Sequence, residues 1–136
     1  MTDELRALVD GRNFAYLAST RADGSPDVVP VWVTTVGDRI AFFTQTTTSK
    51  YRNLQHDPRV AMSIGDDRNP YRACHLRGRV VEWRTDPGIW EDVIDPMSVK
   101  YTGDAFPFRP ETTALALVEV ESGKVRELPF RHSPSQ

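Results

Sequence analysis

The chain of 136 residues has a single cysteine, Cys74. A lone cysteine cannot form an internal disulfide, and it leaves no cysteine cluster to bind zinc. Long apolar runs are missing as well. Runs such as Ile40–Phe43 are as short as a strand, whereas a membrane helix needs about 18 apolar residues. The sequence therefore predicts a protein that depends on no disulfide and has no membrane segment.

An excess of charge of one sign is also missing. There are 17 Lys and Arg residues against 19 Asp and Glu residues, for a net charge of −2. No overall field favours nucleic acid or anionic lipid, so an anionic ligand must be held by a local group of cations. An oligonucleotide-binding barrel would need a basic groove interleaved with exposed aromatic residues, and the charge balance argues against one.

Familiar catalytic motifs are absent too. The sequence contains neither Gly-x-Gly-x-x-Gly nor a Walker loop, the two phosphate cradles of α/β folds. His56, His75 and His132 lie in different predicted elements without the spacing of metal ligands. Cys74 and His75 are neighbours on a predicted strand, so their side chains point to opposite faces and cannot form a thiol–base pair. The sequence predicts no metal site, and it leaves the catalytic residues unknown.

The composition that is present, 39% hydrophobic and 26% charged, is typical of a globular protein. No repeat or linker interrupts the chain, which predicts one domain over residues 1–136, with 132–136 as a flexible tail. The segment Met1–Val9 lacks the basic and then apolar order of a secretory signal, so we expect a cytoplasmic protein.

Most of the chain alternates with the period of a β-strand. The predicted strands are 13–20, 27–36, 39–45, 59–65, 72–83, 114–120 and 124–130, and the last two are joined as a hairpin at Ser122-Gly123. Short helices are predicted at 2–9 and 50–55, from Thr85 to Ile94 and at 97–101. Pro30 interrupts the second strand, which indicates an edge, a bulge or a strand divided between two sheets. So many strands must curl into a barrel or a split sandwich to bury their faces. The predicted class is therefore mainly β, with six or seven antiparallel strands and a few short helices.

One segment combines the donors that a phosphate group needs. The hydroxyls of Thr46, Thr47, Thr48 and Ser49 precede Lys50, Arg52 and Asn53 at a predicted strand-to-helix junction. The first N–H groups of a helix are free and its dipole favours an anion. The segment fits one phosphate; the alternative is a solvated basic face on a short helix.

Two further segments are candidates for binding. Asn69, Tyr71 and Arg72 bring an amide, an aromatic ring and a guanidinium to the start of a strand, although without other information an ordinary Asn–Pro turn is the favoured interpretation. Trp32 follows Pro30 in the interrupted strand. An apolar, proline-bent strand presents backbone groups to a flat ring, whereas a tryptophan there could instead belong to the core.

Several short motifs carry a family resemblance. They are Leu17-Ala18-Ser19-Thr20, Asp23-Gly24-Ser25-Pro26, Pro30-Val31-Trp32-Val33, Ser49-Lys50-Tyr51-Arg52-Asn53-Leu54, Asp57-Pro58-Arg59-Val60-Ala61, Asn69-Pro70-Tyr71-Arg72, Arg77-Gly78-Arg79-Val80, Lys100-Tyr101-Thr102-Gly103 and Phe106-Pro107. Their order and spacing resemble the pyridoxamine-phosphate-oxidase-like split-barrel superfamily, whose members bind flavin or deazaflavin. Within it, the chain is most similar to the small branch that uses the deazaflavin coenzyme F420.

The resemblance implies a split β-barrel and a homodimer with two cofactor sites at the subunit interface. It implies that the segment 46–53 holds the cofactor phosphate, with Lys50 and Asn53 matching the family pattern best. The strand Pro30–Val33 would lie beside the ring, and the cluster at 69–72 would reach the site from the partner subunit. The implied cofactor-binding residues are Pro30, Val31, Trp32, Val33, Thr46, Thr48, Ser49, Lys50, Arg52, Asn53, Asn69, Tyr71 and Arg72.

The implied activity is hydride transfer between F420 and a small organic acceptor. Such a reaction needs a stacked acceptor more than an acid–base pair, because the cofactor carries the hydride. The alternatives are an FMN-dependent enzyme of the same fold and a protein that binds flavin, deazaflavin or haem without turnover. The chain has no counterpart of the C-terminal segment that the vitamin oxidase places around its substrate, so pyridoxamine phosphate is not the expected substrate.

Overall fold

The computed structural model describes residues 1–131, and the predicted tail, 132–136, lies outside the described residues. The helices are α1 (Asp3–Asp10), α2 (Ser49–His56) and α3 (Asp95–Thr102), and a π-helical turn (Trp90–Ile94) directly precedes α3. The strands are β1 (Ala15–Thr20), β2 (Pro26–Val31), β3 (Thr34–Val36), β4 (Arg39–Gln45), β5 (Arg59–Asp66), β6 (Asn69–Arg84), β7 (Thr113–Ser122) and β8 (Val125–Glu127). The predicted mainly β, antiparallel class is confirmed.

The sheet is organised around a division of the predicted strand 27–36. The strand order is β2-β1-β5-β6-β7-β4-β3, with every pair antiparallel, so β2 and β3 lie at opposite ends of the order. Only Trp32 and Val33 separate the two strands, and the path from Val31 to Thr34 spans at most about 11 Å. The two ends of the sheet are therefore close together, which makes the sheet a barrel that is split at this junction.

Pro30 has the role that the sequence predicts. It lies on β2, an edge strand, where the missing N–H of proline costs no ladder hydrogen bond. Residues 1–131 form eight strands rather than six or seven. The division at Trp32–Val33 accounts for one additional strand.

The predicted hairpin at the C-terminal end is wrong. β7 pairs with β4 and with the second half of β6, whereas β8 pairs with the first half of β6, where Arg72 is opposite Glu127. Gly123 has a φ of 136°, and a Cβ at this position would lie 2.6 Å from the Leu76 Cβ. Arg77 is opposite Ser122 and Cys74 is opposite Val125, so β8 continues along the same edge of the 16-residue strand β6 instead of returning along β7.

The two helices predicted after β6 are one continuous helical run. It begins at Gly88, passes through the π-helical turn and ends with α3. Asp86, rather than Thr85, binds its first turn, since the Asp86 carbonyl accepts a hydrogen bond from the Ile89 N–H at 3.2 Å. The run buries Ile89, Ile94 and Met97.

Two hydrophobic clusters share β4. Ile40 and Phe42 face the barrel interior with α1, while Ala41 packs on the other face against the helical run. Phe43, on that second face, is partly buried. Both faces of β4 are therefore covered, and its outer face supports the aromatic residues described below. None of the helices within residues 1–131 has the length and hydrophobicity needed to cross a bilayer.

Candidate functional site

The start of α2 is fixed by Thr48. Its Oγ1 accepts a hydrogen bond from the Tyr51 N–H at 3.2 Å and donates one to the Gln45 carbonyl at 2.9 Å. The Thr48 hydroxyl is thus committed to capping the helix. The N–H groups of Ser49 and Lys50 have no acceptor within residues 1–131, so they remain available to an anion.

Arg52 folds back over this helix start. Its Nη1 donates to the Thr47 carbonyl at 2.8 Å and its Nη2 to the Ser49 Oγ at 3.2 Å. Both acceptors are neutral, and no carboxylate among the described residues pairs with this guanidinium. Thr46 anchors the same segment to the loop before β7, since its N–H donates to the Thr112 carbonyl at 2.8 Å.

Asn53 has a different environment from the other predicted phosphate ligands. It is buried, and its Nδ2 donates to the Asp27 Oδ2 at 2.9 Å and to the Ser19 Oγ at 3.2 Å. Hydrogen bonds from Arg21 and then from Asn53 hold the pKa of the Asp27 carboxyl below its usual value. Asn53 therefore ties α2 to β1 and β2. Its contact with a phosphate stays a prediction.

Lys50 is a half-buried cation without a counter-ion. No carboxylate of residues 1–131 lies within 4.0 Å of its Nζ, and its Nζ lies 6.0 Å from the centroid of the Phe42 ring. Burial lowers the pKa of Lys50 below its ordinary value. Removing a charge from water without a partner is unfavourable, so an external anion would satisfy this group.

Lys50 lines a cavity of about 270 Å³. The residues that line this cavity are Phe14, Pro30, Val31, Trp32, Phe43, Lys50 and Phe106. The structure therefore brings together the strand predicted to lie beside the ring and the lysine predicted to hold the phosphate. Cofactor pockets usually measure about 300–1,000 Å³, so this cavity is suited to a ring system rather than to a whole coenzyme.

The walls of the cavity are mainly aromatic. The Phe43 ring centroid lies 6.2 Å from that of Trp32 and 5.2 Å from that of Phe106, both with edge-to-face geometry. Trp32 is half-buried and stacks on Tyr101 at 5.3 Å with an angle of 7° between the rings. One face of Trp32 thus packs against the protein while the residue also lines the cavity. Val33 lies in the barrel core instead.

Sequence reasoning missed Phe14, Phe43 and Phe106. A signal existed for Phe43, because Phe42 and Phe43 are consecutive on a strand and must point to opposite faces. With Phe42 in the barrel, Phe43 had to contact something outside it. Phe106 lies in a loop, and no periodic pattern could have placed it on this wall.

The cluster at 69–72 lies elsewhere on the chain. At the start of β6, the Asn69 Oδ1 accepts a hydrogen bond from the Tyr71 N–H at 3.1 Å, which is a local side-chain-to-backbone bond, and the Arg72 Nη1 lies 3.5 Å from the Asp66 Oδ2. Tyr71 lines a larger cavity of about 890 Å³, and Phe14 is common to both cavities. Asn69, Tyr71 and Arg72 are therefore not brought to Lys50 within one chain, and their approach from a partner subunit stays a prediction.

Comparisons with known proteins agree with the fold. The family model described as pyridoxamine 5'-phosphate oxidase matches residues 1–128. No curated protein sequence matches the chain.

Solved structures of similar proteins include an F420 reductase, which is 27% identical with a TM-score of 0.78 over 91% of this chain and 98% of that chain. A conserved hypothetical protein from Mycobacterium tuberculosis is 20% identical with a TM-score of 0.78, over 99% of this chain and 93% of its own. A putative pyridoxamine 5'-phosphate oxidase from Listeria innocua is 16% identical with a TM-score of 0.71, over 90% and 95%. The last two likenesses concern the fold alone.

Proposed function

The chain belongs to the pyridoxamine 5'-phosphate oxidase family of flavin- or deazaflavin-binding oxidoreductases, and we propose that it transfers a hydride between coenzyme F420 and a small organic acceptor. One observation carries the proposal: Lys50, a half-buried cation with no counter-ion within residues 1–131, lines an aromatic cavity beside Trp32. The likeness to an F420 reductase favours the deazaflavin over FMN.

The phosphate end of the coenzyme fits the start of α2. Lys50 would supply the charge, and the free N–H groups of Ser49 and Lys50 would donate to the phosphate oxygens. Arg52 would add a second positive charge from its position over the Ser49 hydroxyl. Thr46 and Thr48 would support this segment through its backbone and its cap.

The ring end fits the strand junction. Pro30, Val31 and Trp32 would form one wall of the ring site, while Val33 would fix that wall from the core. When bound, the deazaflavin supplies the hydride chemistry. The chain binds the ring, orients it and keeps water away with the aromatic rings of Phe43 and Phe106.

A second copy of the chain would complete the site. The outer face of β1 and β2 is apolar: Tyr16 is opposite Pro30 and Ala18 is opposite Val28. Tyr16 and Val28 are 53% and 65% exposed, and exposed apolar surface of this kind is typical of an interface. We propose a homodimer in which this face is covered.

In that homodimer, Asn69, Tyr71 and Arg72 of one subunit would approach the coenzyme of the other. The buried, unpaired Cys74 fits a reducing compartment, so we propose a cytoplasmic location.

Parallel titrations with FMN and F420, followed by fluorescence, test the cofactor. We expect saturable F420 binding that is tighter than FMN binding, and oxidation of reduced F420 by at least one member of a panel of quinone, enone and nitroaromatic acceptors. A yellow protein that keeps FMN through purification would favour the FMN-dependent alternative. Binding of F420 without turnover by any acceptor would favour a binding protein, and binding of neither cofactor would refute the proposal.

A further inference from the structure

Lys100 of α3 reaches the junction where the barrel is split. Its Nζ donates to the Val33 carbonyl at 2.5 Å and to the Val9 carbonyl at 3.0 Å. Val33 lies between β2 and β3, outside the strand ladder, so its carbonyl needs a donor from elsewhere. Lys100 provides that donor from a helix that is distant in sequence.

Tyr101 binds the same junction from the next position. Its hydroxyl donates to the Asn13 carbonyl at 2.5 Å and accepts a hydrogen bond from the Val33 N–H at 3.2 Å. The two side chains therefore satisfy both backbone groups of Val33. They replace the hydrogen bonds that a continuous strand would have formed there.

Tyr101 also contacts two residues that line the cavity. Its ring stacks on Trp32 at 5.3 Å and lies 5.5 Å from the Phe14 ring, while the Lys100 Nζ lies 4.6 Å from the Tyr101 ring centroid. A change at Tyr101 is thus transmitted directly to the cavity wall. No other described aromatic residue both hydrogen-bonds the junction and stacks on Trp32.

This arrangement is unfavourable for Lys100 itself. Burial lowers the pKa of Lys100 to about 8, although the Asp10 carboxylate opposes the shift. Asp10 accepts hydrogen bonds from the Thr35 N–H and hydroxyl on β3, so it holds the other side of the junction. A charged group kept half-buried between two carbonyls indicates that the geometry of the junction matters beyond stability.

We propose that Lys100 and Tyr101 are positioning residues, which hold the Trp32–Val33 junction in the geometry that receives the coenzyme ring. The inference rests on the proposed function, because it concerns the binding of that coenzyme. Neither side chain lines the cavity, and both act through Trp32 and Val33.

The test is the Tyr101→Phe variant, which keeps the ring stack and removes the hydroxyl. Two quantities are measured: the hydrogen-exchange rate of the Val33 amide without ligand, by NMR, and the Kd for F420, by fluorescence. We expect exchange to accelerate at least about tenfold and the Kd to rise roughly three- to tenfold, the range for one lost hydrogen bond. Lys100→Met provides a second variant, with the same direction expected for both quantities.

Thr102→Val is the matched control. Thr102 follows Tyr101 on α3, but its hydroxyl lies 2.8 Å from the Ser98 carbonyl and 3.1 Å from the Asp104 carbonyl, away from the junction. This variant removes a hydroxyl from the same helix and leaves the hydrogen bonds of Val33 in place. We expect it to leave the Val33 exchange rate and the Kd at the parent values.

The outcomes separate the inference from the proposed function. Unchanged Val33 exchange in Tyr101→Phe and Lys100→Met overturns the inference, and so does faster exchange with the parental Kd, which would show a purely structural contact. A Thr102→Val variant that weakens binding as much as Tyr101→Phe overturns it as well. A parent protein that binds neither F420 nor FMN refutes the proposed function and removes the positioning role with it.

Discussion

Replacing Lys50 by methionine separates binding from stability at the candidate site. Methionine keeps a flexible apolar stem near Phe42 and removes the charge. Lys50 has no carboxylate partner within residues 1–131, and burial already lowers the pKa of its ammonium. Loss of the charge therefore breaks no ion pair in the unliganded protein. We expect the free energy of unfolding to stay the same or to increase.

The effect on coenzyme affinity should have the opposite sign. A hydrogen bond between a charged donor and a phosphate is worth about 1.5–3 kcal/mol, or roughly ten- to a hundredfold in Kd. The free N–H groups at the start of α2 remain in the variant, so binding is weakened rather than abolished. A stabilised protein with weakened binding is typical of a group that is retained for function.

The assay combines urea unfolding with fluorescence titration of F420. Arg79→Met is the control for net charge, because Arg79 is exposed, forms no ion pair within residues 1–131 and lines neither cavity. Both variants change the net charge by the same amount, so a general electrostatic effect would weaken binding equally in the two. Parental affinity in Lys50→Met would refute the assignment of Lys50 to the phosphate.

Three further predictions concern the surroundings of the site. Asn53→Ala should lower the free energy of unfolding in urea by about 1–3 kcal/mol, because the buried Ser19 hydroxyl and the partly buried Asp27 carboxylate lose a donor. Weakened coenzyme binding at unchanged stability would instead make Asn53 a ligand. Phe106→Ala removes part of the cavity wall and should raise the F420 Kd several-fold. Phe108 is 64% exposed and lines neither cavity, so Phe108→Ala should leave the Kd unchanged; equal effects of the two variants in titration would contradict this role of Phe106. Finally, the pKa of Lys100 is about 8 in the folded chain against an ordinary 10.5. Between pH 8 and 10.5 the unfolded chain therefore binds more protons than the folded chain, so the parent should gain stability with rising pH relative to Lys100→Met. Denaturant unfolding across that window measures the gain, and a constant difference between the two proteins would contradict it.

Local structure was predictable from the sequence wherever the chemistry of one residue restricts the backbone to one or two conformations. Pro30 cannot donate to a ladder, so it required an edge or a break, and β2 is an edge strand. Thr48 had the side chain and the position of an N-cap, and it caps α2. In each case the decisive interaction is made within a few residues of the chain.

The wrong hairpin shows where local reasoning ends. Ser122-Gly123 has the composition of a hairpin turn, but β6 is long enough to pair with β7 along one half and with β8 along the other. The close approach of Gly123 to Leu76 depends on a strand that lies far away in sequence. Propensity cannot distinguish a turn that reverses the chain from a bend after which the chain continues along the same neighbouring strand.

The same limit explains what was missed at the site. Lys50 and Trp32 were selected for their chemistry, but the aromatic walls that join them come from β4 and from the loop at Phe106. Burial of Asn53 against Asp27 likewise depends on how α2 packs on β1 and β2. From the sequence alone, an amide close to Lys50 is expected to bind the ligand, and only the fold shows that Asn53 is hydrogen-bonded to Asp27.

The division of the sheet at Trp32–Val33 is what makes a ring site possible in this barrel. In a continuous strand both residues would be held by ladder hydrogen bonds, and α3 would have no backbone groups to bind. Because β2 and β3 belong to opposite edges, Trp32 is free to turn toward Phe43 and Phe106 instead of a neighbouring strand. The backbone groups exposed by the break must be satisfied, and α3 does this for Val33 with Lys100 and Tyr101. The division between β2 and β3 therefore depends on the hydrogen bonds that α3 makes to it. Substitutions in α3 should for this reason alter the ring site without contacting the ring.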